Sequence, residues 1–130
     1  MEVFARVAIP ADVLHLQSCL DQDEFHNGQK AEDWNTQGKL VSYHSTEGPL
    51  YYTCLQQNGT QRRISFQHDQ SVAKRKLAIG MKYGIEWLKA ESKREGCTEL
   101  IFKSEAPSLI AFFEHFGFRP APDNDFIVSL

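Results

Sequence analysis

The chain has 130 residues, 42% of them hydrophobic and 24% charged, enough to bury one core and too few for two ordinary domains. Its 14 Lys and Arg against 17 Asp and Glu leave a formal net charge of -3, which excludes the broad basic surface that nucleic acid or an anionic membrane would require. No apolar run approaches the roughly 20 residues of a membrane span, and no basic segment leads into an apolar one at the N-terminus, so a cytoplasmic location is expected.

Val3 to Ala8 reads as a first strand, and Pro10 fits the opening of a helix running to about Phe25, with Val13, Leu14, Leu16, Cys19 and Leu20 on its apolar face. From Asp21 to Asn35 the chain is polar and poorly periodic, the pattern of a loop or short helix. The acidic run Asp21-Gln22-Asp23-Glu24 does not make a calcium loop, because Phe25 and His26 stand where an EF-hand needs an oxygen ligand and a glycine. Lys39 to His44 predicts a strand, Glu47-Gly48-Pro49 a turn, and Leu50 to Gln56 a second strand carrying Tyr51, Tyr52 and Thr53. Asn58-Gly59 predicts a two-residue type I′ hairpin, which needs positive φ at both central positions, returning the chain into Arg63 to His68. The sequon Asn58-Gly59-Thr60 is accounted for by that turn.

The period then becomes helical. Met81, Ile85 and Leu88 recur on one stripe, with Gly80, Gly84 and Trp87 on an adjoining one whose small residues permit close approach to a sheet, and Gly96 is placed to end the helix. Thr98 to Lys103 predicts a buried strand. Ser104 can cap a further helix with Pro107 in its first turn, Leu109, Phe112, Phe113 and Phe116 on one face, and Gly117 at its end, before a last strand over Phe126 to Leu130. One α+β domain spanning residues 1–130, with helices around a mixed, mainly antiparallel sheet, follows from this order.

Candidate chemistry is sparse. Cys19, Cys54 and Cys97 are odd in number and widely spaced, and the five histidines show no paired spacing, so buried free thiols are expected and neither a disulfide framework nor a metal site. Lys74, Arg75 and Lys76 stand at a helix start, where free amides and the positive end of the dipole already favour an anion. His68 and Asp69 end one strand and Glu105 follows another, so each is a candidate general base facing a central cleft, His68 having the side chain best suited to proton exchange near neutrality. Tyr43, Tyr51 and Tyr52 are candidates to line an acceptor site, although strand tyrosines usually pack on the sheet.

The order of elements, the segment RKLAIGMKYGIEWL (75–88), the later SEAPSLIAFFEHFGF (104–118) and the opening Ala5-Arg6-Val7 through Pro10-Ala11-Asp12 together resemble the GNAT superfamily of acyl-CoA-dependent N-acyltransferases. That family's glycine-rich turn has Arg or Gln, two residues, Gly, one residue, then Gly or Ala. Arg75, Ala78 and Gly80 occupy those positions here, with Ala in place of the first glycine. The resemblance implies that Arg75, Lys76, Leu77, Ala78, Ile79 and Gly80 form a turn presenting backbone amides to the coenzyme pyrophosphate. It also implies that the strands on either side splay, admitting the pantetheine arm between residues 64–69 and 100–104. The implied cosubstrate is acetyl-CoA or a related acyl-CoA, and the implied partner is an amine acceptor. The Tyr that family members use to protonate the departing thiolate maps to Phe113, and a frequent Asn maps to Ala106. Two readings follow, an N-acyltransferase and a catalytically idle module binding CoA or a protein partner. Edge strands leave a homodimer open.

Overall fold

In the computed structural model, which describes residues 2–130, a seven-stranded sheet runs in the order β1-β2-β3-β4-β5-β7-β6. Its strands are β1 (Val3–Val7), β2 (Lys39–Ser45), β3 (Gly48–Asn58), β4 (Gln61–His68), β5 (Glu99–Lys103), β6 (Arg119–Ala121) and β7 (Asp125–Ser129), and its helices are α1 (Pro10–Gln22), α2 (Ala31–Gln37), α3 (Lys74–Arg94) and α4 (Pro107–His115). Among the described residues only the β4–β5 pair is parallel. The expected mixed, mainly antiparallel α+β sheet is what the chain forms.

Two cores follow from the period-2 alternation of the strands. Val41, Tyr43, Tyr51, Ile64, Phe66, Leu100 and Phe102 face α3 and α4, meeting Met81, Ile85, Leu88 and Phe113. Leu40, Tyr52 and Cys54, on the opposite face, meet Leu16 and Leu20 of α1 and Ala31 and Trp34 of α2. The helix α1 opens on Pro10, and the Asp12 carboxylate accepts the Ile9 N–H at 2.9 Å, satisfying one of the donors a helix start leaves free. The stripe of small residues on α3 is used as expected. A Cβ at Gly80 would lie 2.7 Å from Leu50 Cδ1, so its absence lets the helix settle onto β3. All three cysteines are buried and free.

Several expected boundaries move. The helix α1 stops at Gln22 rather than Phe25, because Asp23 turns extended as its C-cap and accepts the Phe25 N–H at 2.8 Å. Gly48 and Pro49 belong to β3, and the turn falls on Thr46 and Glu47. In the hairpin, Asn58 pairs with Gln61, so Gly59 and Thr60 are the central residues. Only Gly59 has positive φ, +63°, the requirement of a type II′ turn and not of I′. Ser104 does not cap α4 directly. Its hydroxyl accepts the Ala106 N–H at 3.2 Å, and Ala106 is the N-cap. The polar stretch, expected as a loop or short helix, ends in the short helix α2, which runs on to Gln37, and the three-residue strand β6 was not expected.

Candidate active site

The register of β4 against β5 creates the cleft. Four pairs, Gln61 with Glu99 through Ile64 with Phe102, form the parallel ladder. β4 then continues to His68 paired with β3 and without β5, while β5 follows β7 as far as the Lys103–Asp125 pair. The sheet therefore opens beyond Ile64, at the segments expected to splay, and the gap is a cleft of about 570 Å³. It is lined from one face by Asp23, Phe25, His26 and Trp34, and from the other by Phe66, His68, Leu109 and Phe113. Such a passage joins the two faces of the sheet, so a ligand entering from one side can meet another from the opposite side.

His68 and Glu105 both line this cleft, whereas Asp69 does not. Burial beside Phe66 holds the His68 imidazole below its ordinary pKa, against the opposing pull of Asp23 and Asp69, so it is neutral at pH 7. Its ring makes no hydrogen bond among the described residues. Glu105 is exposed. Asp69 is turned toward α1, where Oδ2 accepts from His15 Nε2 at 2.9 Å and Oδ1 accepts the Ser71 amide and hydroxyl at 2.9 and 2.7 Å. In the tautomer with Nε2 donating, Nδ1 accepts the Tyr52 hydroxyl, 2.7 Å away. Cys19 Sγ lies 3.8 Å from His15 Nε2, but burial, with the nearby Asp69, pushes its thiol up to about 12. This group is a brace tying α1 to the end of β4.

The brace has a pH signature. Burial alone would raise the Asp69 pKa, but the Ser71 and His15 hydrogen bonds outweigh it and hold the carboxyl below its ordinary value. A carboxyl depressed in the folded state contributes stability above its unfolded pKa, about 4, and that contribution is lost as pH falls through the folded value. Asp69→Asn should cost about 1–3 kcal/mol near neutrality. Urea titrations of both proteins at pH 7 and pH 3 should show the difference shrinking in acid, and an unchanged gap would refute the assignment.

The expected coenzyme segment is helical rather than a turn. Leu77 N–H donates the first intrahelical bond to Ala73 C=O at 3.0 Å, so residues 75–80 are the first turns of α3, and the amides of Lys74, Arg75 and Lys76 precede that bond. The N-cap, Ala73, has no side-chain oxygen to satisfy them. Arg75 is exposed, Lys76 pairs with Glu47, Leu77 packs against the core, Ala78 and Ile79 face outward, and Gly80 is buried. None of residues 75–80 lines the cleft.

The tyrosines pack instead of lining an acceptor site. Tyr43 and Tyr51 stack at 4.3 Å, Tyr51 donates to Gly80 C=O at 2.8 Å, and Tyr43, Tyr51 and Tyr52 are all buried. Phe113 is 1% exposed, 4.4 Å from Phe102 between ring centres, and borders the cleft as part of the core. The residues that sequence patterns missed are His26, Gln67 and Asp23. His26 Nδ1 lies 2.7 Å from Gln67 Oε1, and Gln67 Nε2 lies 3.1 Å from Asp23 Oδ2. An acidic run followed by a lone histidine carries no spacing signal for this, because the connecting residue is on another element.

No protein-family model matches the sequence, and no curated protein does. Solved structures do match. The ribosomal-protein-S18-alanine N-acetyltransferase from Escherichia coli superposes with a TM-score of 0.72 at 13% identity, over 99% of this chain and 93% of that one. A GNAT-family acetyltransferase from Staphylococcus aureus Mu50 gives a TM-score of 0.73 at 14% identity over 99% of both chains. The Salmonella typhimurium protein yncA, solved with its cofactor acetyl-CoA, gives 0.72 at 10% identity over 98% of this chain and 94% of that one. Across nearly its whole length this chain has the fold of the GNAT acetyltransferases.

Proposed function

We propose that the protein is an N-acyltransferase that moves an acetyl or similar acyl group from acyl-CoA to an amine. The observation carrying this reading is the opening of the sheet beyond Ile64 and Phe102, which leaves the free edge of β4 beside a cleft reaching both faces. A pantetheine arm is a chain of amides, and an unpaired strand edge offers it the backbone partners that a sheet neighbour would. The uncapped amides of Lys74 to Lys76 at the start of the 75–80 segment suit the pyrophosphate, with Arg75 adding a charged donor. The acetyl-CoA bound by yncA supports the same cosubstrate class. Amine attack on a thioester needs a neutral nucleophile, a proton acceptor and a leaving group, and a thiol of pKa near 8.5 leaves adequately without an acid. His68 and Glu105 border the space in which that attack would occur. Asp69 serves by holding the end of β4.

Phe113 favours a second reading, a module that binds CoA without transferring its acyl group, since a buried phenyl ring cannot protonate the thiolate. Calorimetry with CoA and acetyl-CoA separates these cases. Saturable heat is expected with both, together with about 2.7 kcal/mol of added stability at a hundredfold excess over Kd. Absence of both effects at about millimolar ligand would end both coenzyme readings. Thiol release in the presence of primary amines distinguishes the enzyme from the idle module.

A further inference from the structure

The arrangement around Gln67 fixes which nitrogen of His26 carries a proton. Gln67 lies on the α1 face of β4 and is fully buried. Its Nε2 faces two groups that can only accept, Asp23 Oδ2 at 3.1 Å and the His68 carbonyl at 2.8 Å. The amide cannot be reversed without setting an oxygen against both. Gln67 Oε1 must therefore face His26, and an amide oxygen only accepts, so His26 Nδ1 is the donor across 2.7 Å. The neutral ring then has its lone pair on Nε2, which makes no hydrogen bond among the described residues.

The rest of the turn holds this geometry. Asp23 Oδ1 accepts the Phe25 N–H at 2.8 Å, the His26 N–H donates to Asp23 C=O at 3.2 Å, and Trp34 packs edge-on at 5.5 Å from the imidazole. His26 lines the cleft from the α1–α2 side and His68 from the other, and among the described residues the lining carries the carboxylates of Asp23, Glu24 and Glu105 against the one ammonium of Lys103. Three carboxylates and one ammonium give this mouth a negative field, which favours a cationic acceptor.

We propose that His26 is the proton acceptor of acyl transfer to a primary amine entering from the α1–α2 side, with Gln67 and Asp23 as positioning residues that fix its tautomer. The inference rests on the acyltransferase reading above. The bound ammonium first loses one proton to solvent; the neutral amine nitrogen then forms a bond to the thioester carbonyl carbon, and one N–H proton passes to His26 Nε2. The C–S bond breaks with its electron pair on sulfur. The CoA thiolate then takes a proton from water, and His26 returns its own to solvent, so from the neutral amine onward the net transfer is one proton from nitrogen to sulfur. An amide-held tautomer does here what a buried carboxylate does for catalytic histidines elsewhere.

The test follows acetyl-CoA-dependent thiol release with benzylamine, n-butylamine and a tripeptide with a free N-terminus, alongside calorimetric CoA binding. H26Q should lower kcat about 100-fold, within the range of a lost general base, with the Kd for CoA unchanged. Free imidazole should restore H26A about tenfold, which a merely structural defect would not allow. In histidine-labelled protein, long-range ¹H–¹⁵N spectra should show His26 protonated on Nδ1, and Gln67→Met should mix the tautomers and lower kcat about tenfold. Equal turnover by H26Q or a ring protonated on Nε2 would each overturn the proposal. CoA binding with no amine acylated by the wild type, or failure to bind CoA at all, would instead overturn the function on which it rests.

Discussion

Gly84→Ala is expected to destabilise the fold by on the order of 3 kcal/mol or more, a large share of the 5–15 kcal/mol typical of a domain. A Cβ there would overlap the Tyr51 hydroxyl and lie 2.9 Å from Tyr51 Cζ and 3.4 Å from Tyr43 Cδ1. Tyr51 cannot swing away, since its ring is stacked on Tyr43 and packed against Phe66, 5.1 Å away. Displacing the ring would also separate its hydroxyl from Gly80 C=O, leaving a buried donor unpaired. Gly96→Ala serves as the comparison. Gly96 follows the C-cap of α3 at φ +85° with nothing near a new Cβ, so the cost is conformational alone, about 1 kcal/mol. Urea denaturation of both variants checks the contrast. A Gly84→Ala cost no larger than that of Gly96→Ala would show that the α3–sheet contact is slack.

Reversing charge at the start of α3, in the double variant Lys74→Glu and Arg75→Glu, should raise the Kd for CoA by about 100-fold, roughly 1.4 kcal/mol per position. The same change should leave stability level or slightly improved. Acidic side chains in a first turn complement the helix dipole by about 0.3–1 kcal/mol each, and both residues are exposed. Affinity and stability thus move in opposite senses, which no partly unfolded variant would mimic. The loss should shrink as salt screens the exposed charges. Calorimetry at two ionic strengths with a parallel melt is sufficient, and an unaltered Kd would remove the pyrophosphate from this helix start.

Most strands and the long helix were legible because their signals are local. Tyr51 and Thr53 alternate with Tyr52 and Cys54, and Met81, Ile85 and Leu88 return every turn. The helix α2 was not resolved from its surroundings because only Ala31 and Trp34 of its seven residues are buried, too few for a period to emerge. β6 exists through its pairing with β7 rather than through any preference of Arg119-Pro120-Ala121. The opening of the sheet was expected from a family resemblance, and its position depends on where one ladder stops, which is a property of register. The site suffered most. His68 and Glu105 could be placed at strand ends by counting, but His26 acquires its tautomer from Gln67, 41 residues away, and that pairing has no trace in either neighbourhood. The pattern of residues 74–80 read locally as a helix start with Gly80 on a close-packing stripe, and the turn over Arg75 to Gly80 came from the family resemblance; the burial of Gly80 against Leu50 selects the helix.

The four-rung ladder between β4 and β5 also divides the sheet mechanically. On one side stand β1 to β4, joined by long antiparallel pairings, and on the other β5, β7 and β6. Amide hydrogen exchange should resolve these as separate cooperative units, with β5 to β7 opening at lower free energy than β2 to β4. A ligand seated between them would weld the units, so its binding should slow exchange on both flanks together, well beyond the residues it touches.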